Sequence, residues 1–196
     1  MLAAAREAPE KAKGGGCLRL VLIGAGLAVL LAIGAVLGGY LIDGDVEVGT
    51  EARLDAPPER VFPHLATRDG VVTWWEHFGA TMPEAEGMRV IAVDGPDDAP
   101  GARVRFEMDG TVTEEWTLLE REPPGRAVWK IDFQIMEVER TFTLVAEGSQ
   151  ATRVSWRETG HIDNPLARYL KLAMGTEEVE ANFDLALEGL DAIVGD

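Results

Sequence analysis

One cysteine, three histidines and 18 Lys and Arg against 34 Asp and Glu set the first limits on this 196-residue sequence. Cys17 alone cannot close an intramolecular disulfide, so cysteine usage does not report the redox compartment, and a zinc site of four thiolates is excluded. His64, His77 and His161 lack a ligand spacing such as H-E-x-x-H and argue against a metal site. The net charge of -16 opposes sequence-independent binding to nucleic acid, whose phosphates repel it. No Ser/His/Asp or Cys/His arrangement with interpretable spacing is present, nor any repeat or low-complexity tract. No cofactor is expected.

The charge is unevenly placed. Residues 1–42 hold Arg6, Lys11, Lys13 and Arg19 against Glu7 and Glu10, whereas everything after them is strongly acidic. Residues 20–42 carry no charge and are rich in Leu, Ile, Val, Ala and Gly. As a helix rising about 1.5 Å per residue they match the roughly 30 Å hydrocarbon core, and they read as one transmembrane helix. A cleavable signal peptide is the alternative, with Ala32-Ile33-Gly34 as its small-x-small site, although such apolar regions are usually shorter. A lipoprotein anchor is disfavoured because Cys17 precedes the apolar run. Basic residues before the run and Asp43, Asp45 and Glu47 after it orient the N-terminus toward the cytoplasm. The expected organisation is a cytoplasmic segment over 1–19, a membrane helix over 20–42 and one domain over 43–196 on the far side, in a single-pass cell-membrane protein. Gly34 and Gly38 have the spacing of a small-residue helix-packing motif, and with Gly24, Gly26 and Gly39 they read as membrane-helix glycines rather than a phosphate cradle.

After the apolar run the period changes to two. Val46 to Leu54 predicts a strand, and Asp55-Ala56-Pro57-Pro58-Glu59 predicts a helix start capped by Asp55. From Gly87 to Thr159, alternating segments separated by Asp94-Gly95-Pro96, Asp109-Gly110, Pro123-Pro124-Gly125 and Gly148-Ser149 predict six more strands in an antiparallel meander. Helical spacing returns after Asp163-Asn164-Pro165, with Leu166, Tyr169, Leu170 and Ala173 on one face. A break follows at Gly175-Thr176, with Thr176 as cap, and then Phe183, Ala186, Leu187, Leu190 and Val194 share a face.

The inward strand files are Val104, Phe106 and Met108; Val112, Trp116 and Leu118; Trp129, Ile131, Phe133 and Ile135; Phe142, Leu144 and Ala146; and Val154 and Trp156. Glu114, Arg140 and Glu158 interrupt them. Turn lengths predict that Phe106, Glu114, Phe133, Arg140 and Glu158 lie in one row, given a tight turn at Met136-Glu137. Three readings of this row stand: an Arg140/Glu158 ion pair, a polar trio that orients a ligand in an apolar pocket, or an acid/base role for Glu114 with a raised pKa. Trp74 and Trp75 either cover the cavity entrance or pack in the core. The acidic runs Glu84-Ala85-Glu86, Asp97-Asp98 and Glu177-Glu178 read as solvated loops and a helix start.

The segment Arg53-Leu54-Asp55-Ala56-Pro57-Pro58-Glu59-Arg60-Val61-Phe62-Pro63, then Trp74-Trp75-Glu76, Glu115-Trp116-Thr117-Leu118, Thr152-Arg153-Val154-Ser155-Trp156, Asn182-Phe183 and Leu187-Glu188-Gly189-Leu190, resembles the polyketide cyclase/dehydrase branch of the START-like superfamily, also called SRPBCC. The resemblance covers about residues 45–195. It implies an α+β helix-grip fold: a seven-stranded curved antiparallel sheet wrapped around a long C-terminal helix, with an apolar cavity between them. It implies little about activity, since one fold serves many functions.

The leading expectation is a membrane-anchored domain that binds a hydrophobic small molecule or lipid. Trp116, Ile131, Phe133, Phe142 and Trp156 would form the walls, Tyr169 and Phe183 the helix side, with Phe106, Trp74, Trp75, Glu114, Arg140 and Glu158 completing the site. A cyclase or dehydratase is the second reading, and an interaction module with a filled core is the third. The sequence names no protein partner.

Overall fold

The computed structural model describes residues 15–81, 87–134 and 136–195, without the side chains of residues 15–23, 26, 81, 170, 173 and 174. Residues 1–14, the Glu84-Ala85-Glu86 run and Ile135 lie outside the described residues, as do the side chains of Cys17, Leu170 and Ala173. The alternating segments form strands β1 (Asp45–Leu54), β2 (Met88–Val93), β3 (Arg103–Met108), β4 (Thr111–Glu122), β5 (Arg126–Asp132), β6 (Glu137–Ala146) and β7 (Thr152–His161). The helices are α1 (Gly15–Tyr40), α2 (Pro58–Ala66), α3 (Arg68–Thr81), α4 (Arg168–Met174) and α5 (Thr176–Val194).

All seven strands join one antiparallel sheet in the order β1-β7-β6-β5-β4-β3-β2. Consecutive hairpins dictate the run from β2 to β7, and β1 closes on β7 because α2 and α3 separate it from β2. Pairing shifts between Phe106 and Glu107 and again between Leu118 and Glu120. Such bulges bend a strand and increase its twist, which curves the sheet around its concave side. On that side Val104, Phe106, Trp116, Leu118, Trp129, Ile131, Phe142, Leu144, Val154 and Trp156 are all buried, as their period of two requires. The α5 face made by Phe183, Ala186, Leu187, Leu190 and Val194 is buried against them. The seven-stranded curved sheet with its C-terminal helix is the helix-grip arrangement.

Several local expectations differ. The chain does not turn at Met136-Glu137: Glu137 already pairs with Asp132, the Phe133 N–H donates to the Met136 carbonyl (3.0 Å) and Gln134 has φ 66°. Asp132 accepts the Gln134 N–H at 2.7 Å, and this side-chain turn supplies what Gly or Asn would otherwise provide. Arg140 therefore faces Trp129 and not Phe133, and the predicted five-residue row is broken there. Phe106/Glu114, Arg140/Glu158 and Phe142/Trp156 pair as expected.

The single helix expected after β1 is two. Thr67 is extended (φ -129°, ψ 153°); its hydroxyl donates to Pro63 O (2.9 Å) and accepts the Gly70 N–H (3.0 Å), ending α2 and starting α3. Asp55 and Thr176 do not cap: the cap positions are Pro57 and Gly175, neither with a side-chain bond. Asn164 Oδ1 accepts the Leu166 N–H at 2.9 Å, forming a turn that precedes α4 rather than capping it.

The 26-residue α1 contains most of the apolar run. Among the described residues no helix is long and apolar enough to cross a membrane; the side chains of 15–23 and 26 are outside that set, so the expected span is described only from Gly24 onward apart from that one gap. Leu27, Val29, Leu30, Leu31, Ile33 and Leu37 are exposed. Gly38 faces the Tyr169 hydroxyl within this chain, whereas Gly34 has open space beside it.

A Cβ on Gly70 would lie 2.1 Å from the Pro63 carbonyl oxygen, so α2 and α3 meet only because residue 70 lacks a side chain. Gly70→Ala should destabilise the domain by about 1–3 kcal/mol, the usual range for overpacking. A thermal melt of the variant checks this, and an unchanged midpoint would show that the two helices separate freely.

Candidate functional site

The concave interior is built from rings. Trp116 on β4, Trp156 on β7, Phe142 on β6, Phe106 on β3 and Trp74 and Trp75 on α3 converge there, with Phe183 on α5 closing the helix side. Trp156 stacks on Phe183 with ring centroids 4.1 Å apart, and Phe106 lies 4.9 Å from Trp116. Trp74 touches Phe142 at 6.0 Å and Trp156 at 5.7 Å, while Trp75 meets Phe106 at 5.4 Å and Trp116 at 5.7 Å. Each aromatic pair contributes about 0.5–1.5 kcal/mol beyond burial. The rings expected to wall a cavity thus pack directly on one another. Trp74 is anchored by its indole N–H, which donates to the Ala186 carbonyl at 2.8 Å and joins α3 to α5.

Three charges sit among these rings. Arg140 and Glu158 are 4% and 5% exposed and form an ion pair through Nε and Nη2 to Oε1. The guanidinium carbon lies 3.9 Å from the Trp116 ring centroid and 4.6 Å from that of Trp156. Trp156 Nε1 also donates to Glu158, at 3.3 Å. Glu114 accepts a bond from Trp116 Nε1 at 2.7 Å, and burial pushes its carboxyl above the ordinary value despite the opposing pull of Arg140 and Trp116. The ion-pair reading of Arg140 and Glu158 describes what the structure holds, and Glu114 is close enough to feel both charges.

Among the described residues two buried donors at this centre have no hydrogen-bond partner, Arg140 Nη1 and Trp75 Nε1. An unpaired buried donor costs about 1–3 kcal/mol, more when charged. Trp75 also lines an open groove of about 400 Å³ with Glu76, Gly79, Ala80, Met88, Arg89 and Val90, between α3 and β2. From that groove, contact runs inward through Trp75 to Trp116 and then to Arg140. A second open groove of about 390 Å³ lies over β1 and β7, beside Glu180, and its lining mixes Glu47, Glu51 and Arg157 with Trp156.

Of the expected site residues, Trp74, Trp75, Phe106, Glu114, Trp116, Ile131, Arg140, Phe142, Trp156, Glu158 and Phe183 are brought to this interior. Phe133 is half-buried at the end of the β5/β6 hairpin and packs on the edge of the core. Tyr169 is elsewhere: it is exposed on α4 and its hydroxyl donates to the Ala35 carbonyl of α1 at 3.0 Å. The α4/α5 break at Gly175 separates it from the buried α5 face. Sequence reasoning missed Phe78, whose ring is 5.3 Å from Trp75; its spacing of three and four residues from Trp75 and Trp74 could have found it. Among the histidines, His64 is partly buried in α2, where burial pushes its pKa down. Among the described residues no cluster of His, Cys, Asp and Glu could hold a metal ion.

A family profile described as polyketide cyclase / dehydrase and lipid transport matches residues 45–195. Protein CV1439 from Chromobacterium violaceum has a similar structure at TM-score 0.56 and 21% identity, over 76% of this chain and 97% of that one. A norcoclaurine synthase point mutant from Thalictrum flavum, in complex with a transition state analogue, matches at TM-score 0.57 and 8% identity, over 78% and 95%. Protein Ms6760 from Mycobacterium smegmatis matches at 0.52 and 20%, over 76% and 90%. No curated protein sequence matches.

Arg140→Met leaves Glu158 buried without its partner and should cost about 3–5 kcal/mol, whereas Arg140→Met with Glu158→Leu should recover most of that loss. Urea unfolding of the two single variants and the double variant measures the coupling; a simple sum of the single effects would deny the pair. Glu114→Gln tests burial. A carboxyl whose folded pKa is raised favours the fold below its unfolded pKa and loses that contribution as pH rises through the folded pKa. Relative to Glu114→Gln, the native protein should therefore lose stability as pH climbs above about 4.5, the ordinary glutamate value. A pH-independent difference between the two would refute the shift.

Proposed function

The chain belongs to the polyketide cyclase/dehydrase and lipid transport family, and on that premise we propose that residues 45–195 bind a hydrophobic small molecule or lipid carrying one hydrogen-bond acceptor. The observation that carries this reading is the pair of buried, unpartnered donors, Arg140 Nη1 and Trp75 Nε1, inside an aromatic interior. An apolar ligand with a carbonyl, hydroxyl or carboxylate would satisfy one or both while its body packs on Trp116, Phe106 and Trp156. Small-molecule sites have this composition, mostly apolar with a few placed polar groups. Because the rings are in contact, entry requires Trp75 to swing away from the Phe106/Trp116 pair into the open groove beside Met88 and Val90.

We further propose that α1 holds the domain at a membrane, with the N-terminus on the cytoplasmic side. Leu27, Val29, Leu30, Leu31, Ile33 and Leu37 are exposed along α1, a surface suited to lipid and not to water. Lys11, Lys13 and Arg19 before it and Asp43, Asp45 and Glu47 after it support that orientation. A tethered binding domain meets membrane-derived ligands at raised local concentration.

A catalytic reading is favoured by one observation, the raised pKa of Glu114 beside a guanidinium. Glu114→Gln separates the two: turnover lost with ligand binding retained would assign catalysis.

Native mass spectrometry of the full chain extracted from its own membrane, with analysis of co-purified lipid, tests the binding proposal. The expected result is a stoichiometric apolar adduct. Trp75→Phe keeps a ring but removes the donor, and should weaken ligand binding about three- to tenfold, the value of one hydrogen bond. An apo mass together with failure to bind fluorescent fatty-acid or polycyclic probes would overturn the proposal in favour of a filled interaction module.

A further inference from the structure

The sequence between β7 and α5 does not cover the grip; it reaches back to the membrane helix. Tyr169 donates to the Ala35 carbonyl at 3.0 Å. Arg168 donates to the carbonyls of Ile42 (3.0 Å) and Ile162 (2.8 Å), and Lys171 Nζ to those of Asp43 (3.2 Å) and Asp45. A Cβ on Gly39 would lie 2.1 Å from the Pro165 carbonyl oxygen, so this approach of the two backbones needs a glycine there; a Cβ on Gly38 would lie 2.5 Å from the Tyr169 hydroxyl, and that side chain would have to move away. The two cations bond carbonyls of the connection that follows the C-terminal end of α1 and of the first residue of β1.

This docking fixes depth. Ala35 is seven residues before Ile42, about 10 Å along a helix axis at ~1.5 Å per residue. A residue bonded to Ala35 cannot stand clear of a bilayer that α1 crosses. On the same segment Leu166, Tyr169 and Leu172 are 50%, 40% and 65% exposed, and Leu37, Tyr40 and Leu41, at and just past the end of α1, are exposed as well. The side chains with a positive charge are turned inward onto carbonyls, which leaves an apolar face for the outside.

We propose that residues 165–172, with α4, form a membrane-interface foot: Leu166, Tyr169 and Leu172 enter the boundary between headgroups and acyl chains beside α1. The partner is the lipid surface itself. Interfacial segments bury an apolar face to a depth of about 5–10 Å, and tyrosine favours that level. The inference rests on the membrane reading of α1, and the experiment separates the two.

Leu172→Cys, Leu30→Cys and Val145→Cys, each with Cys17→Ser in the full chain, are labelled with an environment-sensitive fluorophore and reconstituted into phosphatidylcholine nanodiscs. Leu30 is on α1 and Val145 on β6, and all three side chains are exposed, so labelling leaves the core intact. The expected result is blue-shifted emission at 30 and 172, quenched by brominated lipid and shielded from iodide, with the reverse at 145. Quenching at 30 but not at 172, with 172 as open to iodide as 145, would overturn the foot and leave the tether. Loss of lipid quenching at both 30 and 172 would overturn the tether and the foot together. Iodide shielding at 172 without lipid quenching would also overturn the foot, in favour of a protein partner or a second copy.

Discussion

A guanidinium removed from water must be neutralised and hydrogen-bonded in place, and the interior of this domain is organised around that requirement at Arg140. Its partner Glu158 lies directly opposite on β7, so the β6/β7 register is tied to the ion pair as well as to the apolar alternation. Its guanidinium lies over the rings of Trp116 and Trp156, and each such contact adds about 0.5–2 kcal/mol. Glu114 and Trp156 complete the polar set. What the pair does not satisfy is Nη1, and with the unpartnered indole N–H of Trp75 that deficit makes a packed core a candidate receptor.

The fold was legible because alternation, turn chemistry and helical spacing agreed with one another. Seven strands, a Gly-marked hairpin at Asp109-Gly110 and the buried face of α5 follow from residues three or four apart or from residues in alternation. Two of the deviations share a cause: side-chain hydrogen bonds that act over two to four residues. Asp132 holds the turn at Gln134 and Thr67 divides α2 from α3. Neither bond has the strong residue preference that marks Gly or Pro, so the periodic reading passes over them.

The site was legible in its inventory and less so in its geometry. Glu114, Arg140 and Glu158 stood out because charge in an inward file demands a partner. The contact of Arg140 with Trp116 could not be read from pairing, since Arg140 faces Trp129 along the ladder and reaches Trp116 only by the length of its side chain. Tyr169 was placed by helical spacing on the wrong surface, because its role is set by α1, some 130 residues earlier in the chain. Long-range packing of that kind leaves no local pattern.

Gly39 and Pro165 approach so closely that the joint between α1 and β1 has no slack. Four residues separate Tyr40 from Asp45, and two of their peptide carbonyls, with that of Asp45, are held by Arg168 or Lys171. The connection behaves as a mount, not a leash. The domain then samples one tilt and one azimuth about the helix axis, and the groove beside Trp75 keeps a fixed bearing. Under the proposed binding function, exchange of ligand would be governed by the orientation built into this joint, and a flexible spacer inserted there would trade that bearing for reach.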